Sequence, residues 1–106
     1  MALSDSVNVL QLEGEIDLHV SPRVETSLAS IIASRPAHVV VDLSGVTFID
    51  SSGLAALIRA TQNVEEYGGK LTLAGINTNV RAIFEMARLD QFFIIGPRDD
   101  EMLAAD

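Results

Sequence analysis

Hydrophobic and polar positions follow two different periods along this chain, and the period switches repeatedly. Val7-Asn8-Val9-Leu10-Gln11-Leu12 alternates and then fills in, which predicts a strand. Glu13-Gly14-Glu15-Ile16-Asp17 predicts the strand's end and a loop. Ser21-Pro22 predicts a helix start, with Ser21 as N-cap and Pro22 at the first helical position. Val24, Leu28, Ile31 and Ile32 then recur on one helical face, and Arg35-Pro36 ends it. His38-Val39-Val40-Val41-Asp42-Leu43 is β-branched and nearly continuous, which suits a central strand covered on both faces. Ser44-Gly45 predicts a turn, after which Val46, Phe48 and Ile49 return apolar mass to the core.

The second half repeats the alternation of periods. A helix is predicted from about Ser52 to Tyr67, with Leu54, Leu57, Ile58, Thr61 and Val64 as its inward stripe. Ala55, Ala56 and Ala60 are assigned to its other faces, where small side chains suit either a close partner or plain helix propensity. Gly68-Gly69 supplies the helix stop. Lys70 to Ala74 predicts a strand, and Asn77 or Thr78 caps a helix carrying Val80, Ile83, Phe84 and Ala87. Phe92 to Ile95 predicts a last short strand, and Arg98 to Ala105 a short acidic helix. Strands alternating with helices predict an α/β fold of parallel strands joined by right-handed crossovers. Functional groups in such sheets collect where strands end and helices begin. Asp50 to Gly53 occupies one such place, and Glu15 to Asp17 another.

Composition narrows the classes. At 106 residues, 48% of them hydrophobic, the chain fits one globular domain spanning 1–106. Its apolar runs are too short for a membrane span, and the N-terminus lacks a signal-peptide pattern. Without cysteine there are no disulfides and no thiolate metal sites. A soluble cytoplasmic protein is the simplest expectation. The formal net charge of -8, from 15 acids against 7 bases, disfavours nucleic acid and anionic lipid as direct partners.

Little catalytic chemistry survives inspection. His19 and His38 lack partners at a metal-ligand spacing, and neither a phosphate-binding glycine loop nor a dinucleotide fingerprint is present. Ser51 or Ser52 as a hydrolase nucleophile needs a base and a GxSxG elbow, and the sequence is Asp50-Ser51-Ser52-Gly53. Glu13, Glu15, Asp17 and Asp50 read as a solvated acidic rim. No cofactor, metal site or enzymatic activity is expected. The corner itself has two readings: a capped helix start, since Asp and Ser are both favoured N-caps, and a helix end suited to an anion.

Leu12-Glu13-Gly14-Glu15-Ile16-Asp17, followed by a helix and then by Val39 to Leu54, resembles the STAS domain of bacterial anti-sigma factor antagonists. Gly68-Gly69-Lys70-Leu71 and Val80 to Glu85 match the family's style, so the resemblance covers nearly the whole chain. It implies the STAS fold, a small mixed, mostly parallel sheet of about four strands with helices packed against it. It implies a partner, an anti-sigma factor with a histidine-kinase-like ATPase fold, bound by the unphosphorylated antagonist so that a sigma factor is released. It also implies that Ser51, the first serine after the aspartate, is the phosphorylation site, and that a PP2C-type phosphatase reverses the modification. Asp17, Asp50, Ser51, Ser52 and Gly53 would then face the kinase. STAS domains also serve as cytoplasmic subunits of ABC-type lipid transport complexes, which is the alternative role.

Phosphorylation adds about -1.5 to -2 charge. Beside Asp50 this charge is expected to repel a partner, while the helix N-terminus holds the phosphate without refolding. Family members usually carry an extra short strand before the first motif. Only Met1 to Ser6 precede Val7 here, so that strand is expected to be truncated or absent, leaving an edge for a homodimer partner or another protein.

Overall fold

The computed structural model describes residues 4–96, with side chains from residue 6 onward. Along the chain come β1 (Ser4–Ile16), α1 (Ser21–Ile32), β2 (Pro36–Ile49), α2 (Ser51–Glu66), β3 (Lys70–Ala74), α3 (Thr78–Met86) and β4 (Ile94–Gly96). The four strands form one sheet in the order β1-β2-β3-β4, and every pairing is parallel. Sequential order with right-handed crossovers places the connecting helices on one face of the sheet. The core agrees: Val39, Val41, Leu43, Leu71 and Leu73 from the strands meet Leu28, Leu57, Val64 and Phe84 from the helices in a single cluster. The α/β expectation therefore holds. An antiparallel strand, as a mixed sheet would include, is not among the described residues, and within them Ser4 to Ser6 belong to β1 itself.

Several local expectations need correction. Glu13 to Ile16 is not a loop, because β1 runs on to Ile16. Ser44-Gly45 is not a turn, because β2 continues through it to Ile49. Against β1, β2 carries an extra residue between Asp42 and Gly45, and another between Val46 and Phe48. Each such bulge reverses the face taken by the side chains that follow. Val46 and Ile49 are therefore both buried, but Phe48 is turned outward and is 45% exposed. Ser21 is not the N-cap of α1; Val20 takes that position without a side-chain cap, and Ser21 is a buried first residue of the helix. The chain's entry is held instead by Asp17, whose Oδ1 accepts the N–H groups of His19 and Val20 at 3.0 and 3.3 Å.

Ala56 and Ala60 are not on free faces of α2. Both are buried, and they line a small cleft of about 130 Å³ with Leu28, Ala29 and Ile32 of α1. Their small side chains let α1 approach, so the closely packed neighbour is intramolecular. Other expectations hold. Gly68 adopts φ +90° after α2, and the Gly69 N–H reaches Val64 O at 3.0 Å. Asn77 caps α3 by accepting the Val80 N–H. The last strand begins at Ile94, two residues later than expected, because Phe93 turns into the core and meets Phe84 edge-on at 5.4 Å. The expected helix from Arg98 to Ala105 lies outside the described residues.

The bulge on β2 makes an asymmetric prediction for two phenylalanines. Phe84→Ala should cost about 3–5 kcal/mol in urea unfolding, as expected for a filled core position. Phe48→Ala should stay within about 0.5 kcal/mol of wild type, as for a surface position. Comparable losses at both positions would mean that the register near Ile49 is wrong.

Candidate functional site

The corner between β2 and α2 is built around Asp50. Its backbone is extended (φ -101°, ψ -174°), and its side chain caps α2. Oδ1 accepts the Ser52 N–H at 2.9 Å, the Gly53 N–H at 3.1 Å and the Ser52 hydroxyl at 2.6 Å. Capping is thus realised, with Asp50 and not Ser52 as the cap. The two serines differ accordingly. Ser52 Oγ is engaged with Asp50, whereas Ser51, the first residue of α2, is exposed and its hydroxyl makes no hydrogen bond among the described residues.

Gly53 lies buried beneath this corner. A Cβ added there would sit 2.6 Å from Ile49 Cγ1, 2.9 Å from Ile16 Cγ2 and 3.0 Å from the Ile16 carbonyl oxygen. Only a glycine lets the first turn of α2 press onto the ends of β1 and β2. The same contact is fastened by the Asp50 N–H, which donates to Ile16 O at 3.1 Å. Gly53 shapes the corner from below and presents no side chain to a partner.

The loop after β1 is therefore drawn to the corner. Asp17 is half-buried, with its carboxylate turned to its own loop, and Leu18 beside it is 70% exposed. Glu15 and Phe48 pair across β1 and β2, and both are exposed. Leu18 and Phe48 were not singled out from the sequence as surface groups. Leu18 stands alone between Asp17 and His19, outside either period, and that isolation was the available signal. Phe48 was hidden by the bulge, which sequence periodicity does not reveal.

Electrostatics at the corner favour an ionised Asp50. The Ser52 hydroxyl contributes most to holding its carboxyl below the ordinary value of 3.8. Partial burial opposes this, while the N–H groups of Gly53, Ser52 and Leu18 reinforce it. The expectation that the helix N-terminus stands ready for a phosphate needs correction, because Asp50 already occupies the amides of Ser52 and Gly53. Among the described residues, neither histidine is hydrogen-bonded to Ser51 or Ser52. His19 is exposed, and His38 Nε2 pairs with Thr72 Oγ1 at 2.7 Å within the sheet. Among the described residues, no three acidic or histidine side chains gather closely enough to hold a metal ion, so the acids from Glu13 to Asp50 do not form such a site.

The depressed Asp50 pKa gives a signed pH prediction. A carboxyl whose pKa is lower in the folded state stabilises the fold above its unfolded value, and that contribution disappears as pH falls through the folded value. Asp50→Asn removes this term and keeps a good cap. The gap in Tm between wild type and Asp50→Asn should thus be largest above about pH 4 and shrink on further acidification. A gap independent of pH would contradict the assignment.

Residues 1–102 match the STAS domain. Over 99 residues the chain is 30% identical to an anti-sigma F factor antagonist of Paenibacillus polymyxa, covering 92% of this chain and 83% of that protein. The crystal structure of an anti-sigma factor antagonist from Mycobacterium paratuberculosis superposes with a TM-score of 0.83 at 30% identity, covering 95% of this chain and 86% of that one. A Thermotoga maritima structure with a TM-score of 0.85 shares the fold at 19% identity, over 98% of this chain and 90% of that one. With its sheet order, its two motifs and its capped corner all accounted for, the chain belongs to the STAS domain family.

Proposed function

We propose that this chain is a single STAS domain acting as an anti-sigma factor antagonist, switched by phosphorylation at Ser51. The observation that carries the reading is the contrast within one dipeptide. Ser51 offers an exposed hydroxyl without an internal partner, and Ser52 has its hydroxyl bound to Asp50. The relatives named above supply the class of partner. In this reading the unphosphorylated chain binds an anti-sigma factor of histidine-kinase-like ATPase fold and frees a sigma factor. The partner transfers the γ-phosphoryl group of ATP to Ser51 Oγ, the hydroxyl proton leaves, and ADP is released. A PP2C-type phosphatase hydrolyses the ester and restores binding. The chain is a regulator and substrate with no catalytic role, acting in the cytoplasm. Among the described residues, no helix is long and apolar enough to cross a membrane.

The corner's surface fits such a switch. Leu18 and Phe48 give it exposed apolar contacts, at 70% and 45% exposure, among acidic neighbours. Such contacts attract a partner through burial. A phosphate at Ser51 adds about -1.5 to -2 charge next to the Asp50 carboxylate, so rebinding would force two anions into a desolvated contact.

Incubation with the candidate anti-sigma kinase and ATP, followed by mass spectrometry, tests the site. Phosphate should map to Ser51, vanish in Ser51→Ala and persist in Ser52→Ala. Ser51→Asp should weaken binding to the same partner by at least tenfold, about 1.4 kcal/mol. Phosphate on Thr47 or Ser44, or undiminished binding by Ser51→Asp, would overturn the reading.

A further inference from the structure

We infer that Asp50 is a positioning residue that couples the charge on Ser51 to the end of β1 at Ile16, so that a phosphate loosens the corner from within. The inference rests on the reading of Ser51 as the acceptor.

Asp50 reaches in two directions. Its carboxylate holds the first turn of α2 through Ser52 and Gly53. Its N–H holds the end of β1 through Ile16 O at 3.1 Å. A phosphoserine at position 51 would be its immediate chain neighbour. The phosphate brings three strong acceptor oxygens to a helix end whose Ser52 and Gly53 amides are already taken. Either the phosphate draws those amides from Asp50, or both anions share them and repel. In both cases the ties between Asp50 and the first turn weaken.

Packing gives the relaxation a direction. Gly53 already stands so close to Ile16 and Ile49 that the turn cannot move inward. It moves outward, and the Asp50 main chain carries the Ile16 contact with it. Leu18, the exposed aliphatic side chain two residues beyond Ile16, then shifts with that strand end. Phosphorylation thus changes the position of an apolar contact as well as the charge beside it.

A double-mutant cycle on the isolated chain tests the coupling without kinase or partner. Phosphoserine is installed at position 51 during translation, in wild type and in Asp50→Asn. Asn caps as well as Asp but carries no charge. The readout is amide hydrogen exchange at residue 50, whose N–H meets Ile16 O, and at Ser52 and Gly53. In wild type the phosphate should accelerate exchange at all three by about fivefold or more, as for the loss of one cap. In Asp50→Asn the acceleration should fall below about twofold, because no second anion competes. Equal acceleration in both backgrounds, or none at residue 50, overturns the inference. If Asp50→Asn does not fold, Asp50→Ser supplies the uncharged cap for the same comparison. Failure here leaves the proposed phosphorylation of Ser51 standing, whereas failure of the kinase assay removes the role of the coupling without changing the exchange rates measured here.

Discussion

The closest constraint in the molecule is the approach of the first turn of α2 to the ends of β1 and β2. Gly53 permits it, since even a methyl group would come within 2.6 Å of Ile49. Three other features follow. Asp50 can reach both Ile16 and the amides of α2 because the two are brought together. The loop beginning at Asp17 is drawn to the same corner. Ser51, at the outer side of that turn, is left exposed while Gly53 on its inner side is buried. The accessibility of Ser51 is therefore a consequence of packing beneath it.

The cap also limits what a phosphate can gain from α2. A bare helix N-terminus attracts an anion because its first amides are unsatisfied. Here Asp50 has already satisfied those of Ser52 and Gly53, and the dipole end carries a carboxylate. An added phosphate meets a compensated site with a like charge next to it. Its effect inside the domain is therefore less favourable than the helix start alone suggests. The same cap that orders the corner makes it sensitive to charge.

Much of this was legible from residues alone, for identifiable reasons. Lys70–Ala74 is legible as a strand because Gly68-Gly69 breaks the preceding helix just before it. The corner from Asp50 to Gly53 stood out because a β-branched run meets a helical period there. Sequence patterns failed where tertiary geometry overrides period. The two extra residues in β2 leave no mark in composition, so Ser44-Gly45 read as a turn and Phe48 as core. Ser21 looked like a cap because its type suits that role, but Asp17 four residues earlier captures the free amides of the loop. Which of Asp50 and Ser52 caps α2 was likewise not decidable, since both side chains suit the position and only the backbone chooses.

The overall acidity of the chain matters less to the proposed switch than its local arrangement. A net charge of -8 spread over the surface raises the cost of any added anion only weakly, because salt screens charges beyond about 8 Å. A doubly charged group on Ser51 interacts strongly only with what lies within that distance. Asp50, one residue away, is necessarily inside it. If surface charge as a whole governed release, phosphate on any exposed serine would serve as well as Ser51. The corner differs from those sites in having a carboxylate that is both adjacent and structurally committed, so neither anion can move away without disturbing the first turn of α2.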